Sequence, residues 1–357
     1  MALAAVPPLL GALSAAGHHQ DGHRTPGPPA HAERHFGVMT YNIYLGANIA
    51  RPIGQTGPAL IEAAAATFNE MVETDFPERA EAIADLIAAH QPYVIGLQEV
   101  AHWETAPLSD PTDLTTFVDF LPVLLDALAD RGAGYEAAAI NSNFVGNLPI
   151  STTTLARLTM RDVILVRTDL PTSQLKWSNP SPNNFSTSLF VPVGDQFIEV
   201  LRGWSTIDVK IRGKTYRFAN THLEAFDQQV RAAQAMELAA ALDSSPHPVV
   251  LVGDLNSIRG VAGDSHQILT DAGYADAWVA AMGDDPGFTA GQASDLRNFP
   301  SALTHTVDYI LYTEDSSIVA IPGSGHVVGD EPEDRTPSGL WPSDHAGVVV
   351  TLKIGTP

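Results

Sequence analysis

Pro248-Val249-Val250-Leu251-Val252-Gly253-Asp254-Leu255-Asn256 is the stretch that decides the fold. Its unbroken apolar run reads as a strand buried on both faces, and it stops abruptly at a glycine followed by a carboxylate and an amide. Outward from it the same pattern recurs. Met39-Thr40-Tyr41-Asn42, Gly96-Leu97-Gln98-Glu99, Asn220-Thr221-His222 and Ser343-Asp344-His345 are short polar tips on apolar segments, and Val307-Asp308-Tyr309-Ile310-Leu311 fits the set. One such tip is a turn or a helix cap. The whole set, carrying hard oxygen ligands and two imidazoles, points to one site where a metal ion and two histidines meet a phosphate.

The segments between the tips alternate in kind. Residues 36–43 and 93–97 read as strands, and 59–72, 77–90, 114–129 and 225–242 read as helices. Pro77 suits a first helical turn, and Ile83, Leu86, Ile87 and His90 follow at helical spacing. Residues 141–158 are polar and carry no clear period. Residues 162–167 read as a strand and 176–188 as an Asn-, Ser- and Pro-rich loop. Residues 197–201 and 205–211 read as strands of one hairpin or as neighbours. Strands over 215–220, 303–312 and 346–352 complete the pattern, with an acidic Gly/Pro-rich loop over 323–342. Sheets inside and helices outside, in a layered α/β or α+β arrangement, follow from this order.

The chain has 357 residues, 45% of them hydrophobic and 17% charged, as in an ordinary globular enzyme. The tips run from Asn42 to His345 without a linker-like break, so residues 36–357 read as one domain. Residues 1–35 stand apart. An apolar Ala- and Leu-rich stretch to Gly17 resembles the core of a secretory signal, with small residues at Leu13-Ser14-Ala15-Ala16 and no positive leader, before a disordered His/Pro-rich tail. Secretion is the expectation. At roughly 17 residues, broken by Pro7 and Pro8, the stretch is too short to span a bilayer. The absence of cysteine excludes thiol catalysis and thiolate metal sites. A formal net charge of −22 and the lack of a Lys/Arg cluster argue against tight grip on a polyanion, while attracting divalent cations.

Glu99, Asp254, Asp344, Asn42 and Asn256 are hard donors that suit Mg²⁺ or Mn²⁺. His222 and His345 are the second element: a neutral imidazole takes a proton from water, and a protonated one stabilises developing phosphate charge. Asp308 is placed to hold one of them in the required tautomer.

With Thr-Tyr-Asn at 40–42, Leu-Gln-Glu at 97–99, Asn-Thr-His-Leu at 220–223, Gly-Asp-Leu-Asn at 253–256, Asp-Tyr-Ile-Leu at 308–311 and Ser-Asp-His at 343–345, the chain resembles the endonuclease/exonuclease/phosphatase superfamily over about residues 36–354. That group includes DNase I-like nucleases, abasic-site endonucleases, neutral sphingomyelinases and inositol-polyphosphate 5-phosphatases. The resemblance implies a four-layered α/β sandwich, two mixed β-sheets flanked by helices, with the site at one end. It implies Glu99 as principal Mg²⁺ ligand, with Asn42 and Asp344 near the ion or its waters. Asp254 would position the attacking water or a second ion, and Asn256 would bond the phosphate. His345, backed by Asp308, would act on the water or phosphate, and His222 would face the scissile phosphate as a donor. Arg202 stands where DNase I-like relatives carry a phosphate-contacting arginine.

The chain departs from the family pattern in two places. Leu158-Thr159-Met160-Arg161-Asp162 replaces a Ser-Gly-rich approach to the mid-chain strand, and no acid is identified behind His222, with Glu136 and Asn141 the candidates. The loop from Phe288 to Asn298 resembles one in secreted bacterial members and is expected to shape the cleft, and Asn183-Asn184 is a weaker candidate to line it. The expected activity is Mg²⁺-dependent phosphodiester hydrolysis by a secreted monomer that does not insert into membranes. Nucleic acid, a lipid headgroup and a small molecule stay open as substrate, as a DNase I-like endonuclease or a sphingomyelinase- or phospholipase C-like enzyme would require. The five tryptophans are scattered, and no aromatic membrane-contact hairpin is evident. A binding protein on the same scaffold would lack a ligand or a histidine, and none is missing.

Overall fold

A computed structural model describes residues 34–314 and 317–354. The signal-like segment and His/Pro-rich tail, apart from Arg34 and His35, lie outside the described residues. The chain runs through β1 (Arg34–Asn42), α1 (Gly57–Glu73), α2 (Phe76–His90), β2 (Val94–Gln98), β3 (His102–Pro107), β4 (Thr115–Asp119) and α3 (Phe120–Asp130). Next come a long hairpin of β5 (Tyr135–Pro149) and β6 (Thr154–Arg167), then β7 (Leu175–Asn184), β8 (Leu189–Val193), β9 (Gln196–Val200), β10 (Gly203–Ile211), β11 (Lys214–His222) and α4 (Gln228–Asp243). The remaining elements are β12 (Val249–Asp254), α5 (Ser265–Asp271), β13 (Tyr274–Asp276), α6 (Ala277–Met282), β14 (Asp308–Thr313), β15 (Ile318–Ala320), β16 (His326–Val328) and β17 (Gly347–Ile354).

Two mixed sheets result. One has the order β15-β17-β1-β2-β6-β3-β4, with β16 beside β17 and β5 beside β6; the other is β13-β14-β12-β11-β10-β7. Between them Phe36, Val38, Val94 and Ile164 of the first sheet meet Ile207, Phe218, Val250 and Ile310 of the second. The outer face of the first sheet buries Ile83 and Ile87 of α2 and Leu124 and Leu128 of α3. The outer face of the second buries Leu238 and Leu242 of α4 and Leu269 of α5. Helix, sheet, sheet, helix is the expected four-layered sandwich, since each sheet is apolar on both faces.

Register brings the polar tips to one end. Asn42 pairs with Gln98 across the parallel β1–β2 ladder, and His222 with Asp254 across the parallel β11–β12 ladder. Asp254 also faces Asp308 on antiparallel β14, so strands that end and a strand that starts share one edge.

Several local expectations change. The helix expected over 114–129 begins at Phe120, because Thr115, Thr116 and Val118 are β-branched and pair with β3. Asp119 then caps the helix by accepting from Leu121 N at 3.1 Å. The expected loop over 176–188 is mostly β7, an edge strand, where Pro180 and Pro182 cost no ladder bond on the open side. The unassigned 141–158 forms most of the β5–β6 hairpin. β9 pairs with β8 rather than with β10, and the two form a separate small sheet.

Candidate active site

Close approach of the two sheets builds the floor of the site. A Cβ at Gly96 would lie 2.4 Å from Val252 Cγ2 and 2.6 Å from Asn220 Oδ1, so only glycine lets the strands meet there. Asn220 uses that closeness. Its amide donates to Leu97 O (3.0 Å) and Val163 O (3.2 Å), while Gln98 Nε2 donates to its Oδ1 (2.7 Å). These fully buried bonds stitch β11 to β2 and β6, two residues before His222 and beside Glu99.

Glu99 and Asn256, just past β2 and β12, take left-handed backbone angles, φ 59° and 49°. Such a conformation is costly for a glutamate and marks a site held by its surroundings. The Glu99 carboxylate accepts from Leu45 N at 2.9 Å. Asp254 accepts from Asn42 Nδ2 (3.0 Å) and Asn256 N (2.8 Å), and Asn256 Nδ2 donates to Leu223 O (3.0 Å). Asp344 follows Ser343, whose hydroxyl donates to Asn42 O at 2.6 Å. Among the described residues no lysine or arginine forms an ion pair with Glu99, Asp254 or Asp344. Burial, with the charge of Asp308 added, pushes the Asp254 carboxyl up to about 7. Burial, with Glu99 opposing the relief from His345, does the same for Asp344, also to about 7.

The imidazoles flank Asp254 in opposite states. His345 Nδ1 lies 2.9 Å from Asp308 Oδ2, and its Nε2 lies 3.9 Å from Asp254. Burial alone would lower its pKa, but Asp308, Asp344 and Asp254 together raise it well above the usual histidine value. Thr289 Oγ1 accepts from Val307 N and Asp308 N at 3.1 and 3.2 Å, seating the orienting acid. His222 is buried and its Nε2 lies 3.4 Å from Asp254 Oδ2. Burial first, then the Arg202 charge, holds its pKa well below the ordinary value. Arg202 Nη1 is 3.1 and 3.2 Å from the two ring nitrogens, which places the guanidinium over the ring face.

The structure thus brings Asn42, Glu99, Asp254, Asn256, Asp308, Asp344, His345 and His222 to one place, with Arg202 buried behind His222. Behind His222 stands an acid that the sequence reading overlooked. Asp162 Oδ1 is 3.8 Å from His222 Nδ1, and its other oxygen accepts from Asn143 Nδ2. Burial pushes the Asp162 carboxyl up to about 7, against the relief given by Arg202. Glu136 is instead bonded to Trp177 Nε1, and Asn141 reaches Asp162 only through Asn143. A usable signal was present: a carboxylate opening an otherwise apolar run, Asp162 to Val166. The Phe288–Asn298 loop lies against the site, since Gln292 N donates to Asp344 O and Ala290 bridges to His345.

The donor set fits a hard dication. Buried Asp254 and half-buried Glu99 and Asp344, without a lysine or arginine partner and beside an amide, are what Mg²⁺ or Mn²⁺ takes, and the raised Asp254 and Asp344 express the positive charge they want. Asp254, Asp308 and His345 also offer ligand atoms within 4.8 Å of one another. That trio is the weaker cage, because Asp308 is already engaged with His345 Nδ1 at 2.9 Å.

A two-sheet sandwich with a carboxylate–imidazole site at one edge defines a class of phosphoester hydrolases. The sequence pattern of the Endonuclease/Exonuclease/phosphatase family matches residues 39–345, and the chain belongs to that family. Similar solved structures include a family member from Bacteroides thetaiotaomicron, at TM-score 0.54 and 17% identity over 91% of this chain and 99% of that one. Truncated TDP2 from Caenorhabditis elegans gives 0.52 and 16% over 90% and 98%. TDP2 from D. rerio, complexed with a single strand DNA product, gives 0.52 and 15% over 89% and 98%. These likenesses concern the fold. No curated protein sequence matches the chain.

Proposed function

We propose that the chain hydrolyses phosphodiesters with a bound Mg²⁺ or Mn²⁺, by in-line attack of water, on a substrate smaller than duplex DNA. The observation that carries this reading is the pair of imidazoles on either side of Asp254, His345 backed by Asp308 at 2.9 Å and His222 by Arg202 at 3.1 Å. Asn42, Glu99, Asp254 and Asp344 would hold the dication, whose chemistry is to offset phosphate charge and to lower the barrier to attack. Asp254, which accepts from Asn42 Nδ2 and Asn256 N, would orient the attacking water. His345, kept protonated by Asp308, donates to a phosphoryl oxygen as charge grows there. His222 stays neutral and offers a single N–H, and Asn256 lies on the same rim. The net charge of −22 disfavours a long polyanion.

The test is hydrolysis of methyl p-nitrophenyl phosphate. Activity should vanish in EDTA and return with Mg²⁺ or Mn²⁺, and His345→Ala should lower kcat by about 10²- to 10⁴-fold. Full turnover in chelator removes the cation from the mechanism, and a fully active His345→Ala removes the imidazole.

A further inference from the structure

An apolar cavity of about 90 Å³ lies between α1, the β5–β6 hairpin and the small β8–β9 sheet. Its roof is that small sheet: Val191, Val193, Ile198 and Val200 face inward, while Phe190 and Phe197 are exposed on the outer face. Two backbone bonds pin the roof, Gly54 N to Pro192 O at 2.7 Å and Gly194 N to Gln55 O at 2.8 Å. A core at native packing density leaves no such space, and an apolar cavity of this order stays dry and takes up small apolar groups.

Two walls join the cavity to the site. Arg202 lines it and lies 3.1 Å from His222 Nδ1. Trp103 lines it as well; its indole donates to Leu45 O (3.0 Å), and Leu45 N donates to Glu99 (2.9 Å). The cavity therefore borders the neutral imidazole through Arg202 and lies one residue, Leu45, away from Glu99 through Trp103.

The lining selects its occupant. Thr67 Oγ1 donates to Asn48 O at 3.1 Å and the Trp103 N–H is already used, so little remains to pair a base edge or a sugar hydroxyl. A nucleobase would bury its polar edge unsatisfied, whereas a saturated chain has nothing to satisfy. Arg202, buried behind His222 and 3.8 Å from Glu224, adjoins the cavity on the imidazole side of the site. Phe226, which lines the cavity and is 54% exposed, makes the mouth apolar too.

We propose that the cavity holds the aliphatic chain of a lipid phosphate ester while its phosphate sits at His222 and the acidic cluster. This rests on the phosphodiesterase reading above and names the substrate class of that site.

The experiment is a series of p-nitrophenyl alkyl phosphodiesters, methyl through octyl, kept below micelle-forming concentrations. With the leaving group constant, kcat/KM should rise by about fourfold for each methylene the cavity covers. Val191→Trp, on the half-buried roof, fills the cavity and should flatten that rise; Ala156→Phe fills it from β6 as a second variant. The octyl-to-methyl ratio is read within each protein, so general damage cancels. A flat series in the unaltered protein overturns the inference and leaves the phosphodiesterase reading standing. If no member is hydrolysed, the phosphodiesterase reading fails, and dansyl-undecanoate decides the cavity. Saturable fluorescence enhancement that Val191→Trp abolishes keeps the chain site, and no enhancement overturns it.

Discussion

Replacing Asn220 by alanine tests whether the two sheets are held in register by the polar stitch beneath the site. The side chain is fully buried and makes bonds of 3.0 Å to Leu97 O, 3.2 Å to Val163 O and 2.7 Å from Gln98 Nε2. Gln98 keeps other partners, Thr40 Oγ1 at 3.2 Å and Gly96 O at 3.2 Å, so it is not fully orphaned. Each buried group left without a partner costs about 1–3 kcal/mol, and the small void adds to that. Partial compensation at Gln98 brings the expected loss to about 2–4 kcal/mol. Equilibrium urea unfolding of wild type and Asn220→Ala, at one pH and in EDTA, reads this as a lower midpoint at unchanged slope. Because His222 lies two residues beyond and Glu99 one beyond Gln98, kcat should fall as well. A variant within about 0.5 kcal/mol of wild type, the range of ordinary surface substitutions, would falsify the stitch.

Three further outcomes are expected. Asp308→Asn should lower kcat by about 10²- to 10⁴-fold and shift the alkaline limb of the kcat–pH profile to lower pH, because His345 loses the charge that keeps it protonated; an unmoved profile places that proton elsewhere. Asp162→Asn should lower kcat more than it changes KM, since Asp162 acts through His222 and not on substrate; a pure KM effect contradicts the positioning role. In EDTA, stability should decline as pH rises from 5 to 8. Asp162, Asp254 and Asp344 titrate near 7 when folded and near 3.8 when unfolded, so the folded state binds more protons across that window. Mg²⁺ at pH 8 should recover the loss, and urea midpoints independent of both pH and Mg²⁺ would show these carboxylates to be ordinary.

The strand tips were legible because a strand buried on both faces leaves an unbroken apolar run, and the polar residue that ends it stands out. Val249 to Asp254 and Val94 to Gln98 are of this kind. Asp162 was not, because its meaning depends on pairing direction. β6 runs antiparallel to β2, with Val163 opposite Leu97, so Asp162, in the second half of β6, lies beside Glu99. Nothing local to the sequence states that direction. β7 was masked by prolines and asparagines that an edge strand tolerates. The β8–β9 roof was missed because neighbouring strands usually pair, whereas here Leu201 and Arg202 break the run and send β10 to β7 and β11. The apolar cavity was illegible for the same reason: its walls come from α1, β5, β6, β8 and β9, each unremarkable alone.

The charge pattern of the site follows from what stands behind each ring. Behind His222 is Arg202, a permanent cation that makes a second positive charge expensive, with Asp162 farther off at 3.8 Å. Behind His345 is Asp308, an anion in direct contact at 2.9 Å. Two imidazoles that share Asp254 would otherwise compete for one proton, and each raises the cost of charging the other. Setting a cation behind one and an anion behind the other settles that competition in advance, so the proton resides on His345. A phosphoryl group held between them then meets a cationic donor on one side only, and the direction in which charge is stabilised is built into the resting protein.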